Sequence, residues 1–191
     1  IVADKNSNPE WLASDLLGQA EHDQLAQCIL ISKDKNILEK TKKEVFEQLK
    51  NLPRSSIAKK SLMMNGILVY ANSDKKIIEI TNKIGPEHLE LNVKNYKSFV
   101  AKIKNAGSVC LGKYAVMAMT DYGAPGSNHV LPTDSSSKYS SGLNVSEFMK
   151  KISYITLSKK GIDKLGPSVI TLANYEGLQG HAQSIVKRIR R

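Results

Sequence analysis

The residues in this chain best suited to chemistry are four histidines, His22, His88, His129 and His181. Imidazole carries protons near neutral pH and ligates metals, and each of the four sits among polar residues near an element end or in a loop. Taken singly, each also reads as a surface or helix-capping histidine. Their neighbours sharpen the reading. In Gln19-Ala20-Glu21-His22, Gln19 and His22 are three apart and share a helix face, so the two can converge on one ion, whereas Glu21 is rotated away. In Gly85-Pro86-Glu87-His88-Leu89, Gly-Pro forces a turn and the Glu-His pair opens an extended run. That places a carboxylate beside an imidazole at the mouth of a strand, an arrangement proton transfer requires. Asp121 offers a hard oxygen ligand, and the glycines after it let backbone approach a bound group closely. Glu176 and His181 are five apart, which an unbroken helix would put on different faces, but Gly177 and Gly180 allow a bend that joins them. His22, His181 and Asp121 thus make a nitrogen and oxygen metal site from distant segments. In the blander reading the same residues are turn chemistry and solvated polar groups. On its own the pattern reaches no further than a metal-dependent α/β enzyme.

Those side chains need a frame, and the chain alternates short β-like runs with helical patterns, as strands of a mostly parallel sheet covered by helices do. Val2-Ala3 ends a first strand. Asn8 and Pro9 then supply an N-cap and a fixed-φ first position for a helix to about Asp23, with Leu12, Leu16, Leu17 and Ala20 as its apolar stripe. Strands are expected at 28–31, 67–70, 89–91 and 109–111, and helices at about 34–50, 55–63, 74–83 and 94–105. Gly66 and Gly107 fall at the helix-to-strand turns, where a C-terminal glycine is expected. Residues 114–141 are rich in Gly, Ser, Pro, Asn and Asp without a sustained period, too long for an idle connector. From Asn144 the pattern is helical again, apart from an apolar interruption at 152–157. We expect an incomplete Rossmann-like α/β domain over 1–142 and a small helical C-terminal domain over 143–191.

Composition narrows the class. Of the 191 residues, 41% are hydrophobic and 24% charged, which excludes wholesale disorder. Cys28 and Cys110 each lie in an apolar run and read as reduced core residues, not as a disulfide or thiolate site. The net charge of +10 is uneven: residues 1–50 carry 7 basic and 9 acidic side chains, residues 151–191 carry 8 and 2. Lys187, Arg188, Arg190 and Arg191 close what reads as a helix, where cations complement the macrodipole. Clustered aromatics for stacking single strands are lacking, so no nucleic-acid partner is expected. No apolar run reaches the roughly 18 residues of a membrane span. No membrane partner is expected, and a cytoplasmic location is. The opening Ile1-Val2-Ala3-Asp4 reads as a strand whose beginning is missing, so a longer parent chain is expected.

Read together, the motifs resemble the histidinol dehydrogenase family nearly end to end. The words that carry the likeness are Ala13-Ser14-Asp15-Leu16-Leu17 leading into Gln19-Ala20-Glu21-His22, then Gly85-Pro86-Glu87-His88-Leu89, Ala106-Gly107-Ser108-Val109, Asn128-His129-Val130-Leu131-Pro132-Thr133, and Glu176 with His181. The chain corresponds to about the C-terminal half of the family's sequence. The resemblance implies oxidation of L-histidinol through L-histidinal to L-histidine, the end of histidine biosynthesis, with two NAD. It implies zinc on Gln19, His22, Asp121 and His181, with Glu87 and His88 as the proton-transfer pair. It also implies substrate contacts from Gln19, His22, His88, Asp121, Glu176 and His181, and a homodimer whose tail lends Glu176 and His181 to the other subunit. The family's nicotinamide site and a substrate serine lie upstream of Ile1, and no Gly-x-Gly-x-x-Gly loop occurs here. No cofactor-binding residue for NAD is therefore expected in this chain, nor NAD turnover by it alone. Between Asp121 and His129 it is one residue longer than the family's usual spacing, at Gly123-Ala124-Pro125-Gly126. The competing readings are a same-superfamily dehydrogenase of another amino- or hydroxy-alcohol and a non-catalytic interaction fragment.

Overall fold

The computed structural model describes residues 1–123, 126 and 128–189. Five strands, β1 (Val2–Ala3), β2 (Ile29–Ser32), β3 (Ile67–Tyr70), β4 (His88–Asn92) and β5 (Ser108–Leu111), form one parallel sheet in the order β3-β2-β1-β4-β5. This is the doubly wound, Rossmann-like arrangement, with β1 at the centre although only two of its residues pair. Val2 stands opposite Ile31 on one side and Leu91 on the other.

Alternation along the strands sends neighbouring side chains to opposite faces, and the two faces have separate cores. Ala3 and Leu30 pack with helices α1 (Pro9–Ala20), α2 (Lys35–Leu49) and α3 (Ser55–Asn65), burying Leu12, Leu16, Leu17, Ile37 and Val45. Val2, Ile31, Leu89 and Leu91 pack on the other face with Ile77 of α4 (Asp74–Ile84) and Phe99 of the single-turn α5 (Lys97–Val100). The start of α1 is as the sequence predicts: the Asn8 side chain accepts the Glu10 N–H at 2.9 Å and Pro9 holds the first position. Both cysteines are buried and free; burial pushes each thiol up to about 11, and the Cys28 thiol donates to the Leu16 carbonyl.

Three expectations are corrected. The first helix stops at Ala20 rather than Asp23. The helix expected over 94–105 shortens to Lys97–Val100 because Asn82 of α4 satisfies the backbone that would have continued it. Its side chain accepts the Lys104 N–H at 2.7 Å and donates to the Lys102 carbonyl at 2.9 Å, while the Asn105 side chain donates to its backbone carbonyl. Gly66 caps α3 as expected, but Gly107 follows no helix, since α5 ends at Val100, while α4 ends at Gly85 in the left-handed conformation (φ +61). Within the irregular region a short helix α6 (Met117–Tyr122) and a 3-10 turn (Ser136–Lys138) form.

The chain divides into two compact units, Ile1–Glu147 and Phe148–Arg191. The second holds α7 (Lys159–Tyr175) and α8 (Gln179–Ile189), joined at Gly177 (φ +73), with no helix between 149 and 158. A side chain at Gly166 would collide with Ile185 and Ile189, so glycine lets the two helices close up. Lys187 and Arg188 lie in the last turn of α8; Arg190 and Arg191 fall outside the described residues.

Candidate active site

A cavity of about 790 Å³ opens at the amino-terminal edge of the sheet. Its walls come from the end of α1 and the turn beyond, the loop entering β4, β4 itself and the start of α6; Gln19, His22, Glu87, His88 and Glu90 all line it. Ligands of open parallel sheets ordinarily gather at the carboxyl edge, where the strand order reverses. Here that edge is closed. Asp4 accepts the Lys94 N–H at 2.7 Å, and the Ser7 hydroxyl accepts the Asp4 N–H and donates to the Asn92 carbonyl at 2.7 Å. The mouth at which the Glu87-His88 pair sits is thus the amino-terminal one.

The pair is rigidly presented. Gly85 ends α4 in the left-handed conformation and turns the chain into Pro86. The Pro86 and Glu87 carbonyls then accept the Gly107 and Ser108 N–H groups at 2.9 and 2.8 Å, tying the loop to the entry of β5. A side chain at Gly107 would meet the Glu87 carbonyl oxygen at 2.7 Å, so this close approach requires glycine. The His88 side chain is 12% exposed; its Nε2 lies 3.8 Å from Glu87 Oε1 and 3.9 Å from Asp121 Oδ1. Its Nδ1 is buried and has no hydrogen-bond partner among the described residues. These separations are longer than hydrogen bonds.

Gln19 occupies the last turn of α1, and His22 follows it with its N–H on the Gln19 carbonyl at 3.3 Å. Both side chains border the cavity. Asp121, in the last turn of α6, has a side chain 8% exposed, and its ion-pair partners among the described residues are the imidazoles of His88 and His129. His129 Nδ1 stands 3.6 Å from Asp121 Oδ1, which brings to the site a histidine to which sequence reasoning gave no role; its only signal was a loop shared with Asp121. Of Gly123-Ala124-Pro125-Gly126, where the extra residue is expected, Ala124 and Pro125 lie outside the described residues.

Glu176 and His181 belong to the second unit. Gly177 supplies the bend expected there, yet both side chains are exposed and, among the described residues, no hydrogen bond or ion pair links them. Among the described residues no group of three or more His, Cys, Asp or Glu side chains is placed to hold a metal ion.

Two carboxyls the sequence reading did not single out as chemical groups also face the cavity. Glu90, on β4, is 4% exposed, and Asp15 stands on α1. Burial and the adjacent Glu90 carboxylate push the Asp15 carboxyl up to about 7.

Comparison with known proteins agrees in every case. The chain is 73% identical over all 191 residues to a histidinol dehydrogenase of Pelagibacter ubique, of which it spans 44%. It is 45% identical to one of Listeria monocytogenes, covering 97% of this chain and 43% of that protein. A crystal structure of histidinol dehydrogenase from Elizabethkingia anophelis superposes with a TM-score of 0.77 at 40% identity, over 99% of this chain and 43% of that one. The chain therefore spans less than half the length of these relatives. No helix among the described residues is long and apolar enough to cross a membrane. A sequence profile described as histidinol dehydrogenase matches residues 1–189, and with it and these relatives the chain is placed in the histidinol dehydrogenase family.

Proposed function

We propose that this chain forms the metal-binding and proton-transferring part of an NAD-dependent histidinol dehydrogenase that takes L-histidinol through L-histidinal to L-histidine. The observation that supports this most is a single cavity bordered by Gln19, His22, Glu87 and His88, with Asp121 against His88. Zinc fits the donor set: Gln19, His22 and Asp121 offer one nitrogen and two oxygens, and the Asp121 carboxylate is nine-tenths buried with imidazoles as its neighbours. His181, exposed on the second unit, is the fourth donor, lent by a second copy of the chain. When bound, zinc would fix the imidazole and amine of the substrate and so orient the reacting carbon.

His88 takes the alcohol proton through Nε2 as the hydride leaves for the nicotinamide. Gln19, His22, Asp121 and, in trans, Glu176 and His181 hold the substrate around it. Glu87, half-buried with its backbone pinned to β5, activates the water that hydrates the aldehyde, so that a second hydride and proton can depart. The nicotinamide site is assigned to the part of the family's length this chain does not span.

Residues 143–191 are assigned as the small domain that crosses to the partner in a homodimer. In support, the second unit buries only Ala173 and Ala182 among its apolar side chains and leaves Ile155, Leu165 and Leu172 exposed. Shortening the full-length protein after Gly142 is expected to abolish the dimer and weaken zinc retention; a truncated protein that dimerises and binds zinc normally contradicts the swap. The function itself is tested by offering histidinol, histidinal and a panel of other amino- and hydroxy-alcohols to the full-length protein with NAD and zinc. Preference for histidinol and histidinal is expected; preference for another alcohol identifies a superfamily relative, and no oxidation of any overturns the reading.

A further inference from the structure

Glu90 lies two residues after His88 on β4, so both side chains leave the sheet on the face that α1 covers, opposite Leu89 and Leu91. Its Oε1 accepts the N–H of Met117 at 2.8 Å. Met117 opens α6, and Asp121 sits one turn further along that helix. Asp15 stands on α1 one turn before Gln19, with its carboxyl in hydrogen-bonding reach of Glu90. Asp15 Oδ2 and Glu90 Oε2 are both buried, and among the described residues no donor reaches either. Two carboxylates cannot both ionise at such a distance away from water, and an orphaned buried acceptor is costly. One proton held between the two groups removes both penalties; the buried Ile1 amino group also faces both carboxyls, but burial disfavours its charged form.

We propose that Asp15 and Glu90 are positioning residues, a proton-sharing carboxyl pair that ties α1, β4 and α6 together and thereby sets where Gln19, His88 and Asp121 stand relative to one another. Each element carries one functional residue within a turn, or two strand positions, of its contact with the pair. This rests on the proposed function for its readout, since the residues placed are those assigned to zinc and proton transfer. With the proton on Asp15, Glu90 accepts from both Asp15 and Met117. The arrangement discriminates between substitutions: asparagine at 15 still donates to Glu90, whereas alanine at either position leaves a buried polar atom without its partner.

The test compares D15A, E90A and D15N with the unmodified full-length protein. Zinc affinity is read by competition with a chromophoric chelator, and kcat and KM for histidinol are read on folded protein. D15A and E90A are expected to weaken zinc and lower kcat by roughly tenfold or more, as loss of outer-shell support does, with D15N restoring both. Lowered thermal stability with zinc affinity and kcat unchanged means a purely structural role and overturns the proposal. Should the alanine variants fail to fold, infrared spectroscopy of the folded proteins decides: the unmodified protein is expected to show a protonated-carboxyl band at mildly acidic pH that D15N lacks, and absence of that band overturns it. If the unmodified protein neither binds zinc nor oxidises histidinol, the functional reading fails and the positioning claim falls with it. If that protein does both and E90A matches it, the positioning claim alone fails.

Discussion

The two ends of the parallel sheet use similar residue types to opposite effect. At the carboxyl edge, Asp4, Ser7 and Ser32 turn their side-chain oxygens to nearby backbone, and the crossover between β1 and β4 is sealed. At the amino edge, His88 Nδ1, Asp15 Oδ2 and Glu90 Oε2 are buried without partners among the described residues, and a cavity stands open beside them. Buried polar groups that remain unsatisfied are costly, so a native chain keeps them where something else is to be held. The cavity lies at the edge opposite the one where ligands of open parallel sheets ordinarily gather.

The sharpest way to break that contrast is to substitute one group at each edge. In the full-length protein H88N is expected to lower kcat by about 10²–10⁴-fold, the usual worth of a general acid–base group, with the melting temperature little changed. S7A should do the reverse. It removes the buried hydrogen bond to the Asn92 carbonyl and is expected to cost about 1–3 kcal/mol of stability in denaturant titration while kcat per folded molecule stays the same. A loss of activity in S7A with unaltered stability would place function at the carboxyl edge instead.

A third prediction sharpens the comparison through pH. Asp15 is raised from 3.8 to about 7 by burial and by Glu90, so between those values the native state keeps a proton that the unfolded chain has released. Stability is therefore expected to fall as pH rises through that window, by at most ~1.4 kcal/mol per pH unit, and to level off above it. D15N should flatten the slope, and an unchanged slope would show that another group titrates there. S7A removes no ionisable group, so it should leave the slope as it is.

Much of the frame is legible in the chain. Asn8-Pro9 marks the start of α1, the stripe from Leu12 to Ala20 marks its buried side, and the Ile67–Tyr70 run marks β3, because capping, helical periodicity and β-branched runs are local signals. The helix expected over 94–105 is not local in that sense: Asn82, some twenty residues earlier, competes for its backbone. The site residues divide the same way. His88 beside Glu87 declares itself as an adjacent pair, whereas His22 and Asp121 are joined only by residue type across distant segments, and Gln19 enters their set only through the family likeness. Asp15 reads in sequence as an ordinary polar position on an amphipathic helix. Glu90 does carry a signal, a charge between Leu89 and Leu91 in a strand covered on both faces, where an ionisable side chain needs a partner.

The central claim is that the amino edge gathers the ligands of one metal ion beside His88. Anomalous diffraction at the zinc edge, from crystals of the full-length protein, tests it most directly. The expected result is a single strong peak bounded by Gln19, His22 and Asp121, with His181 of a second copy completing the shell; a peak remote from those residues, or one at the carboxyl edge by Asp4 and Ser7, would contradict it.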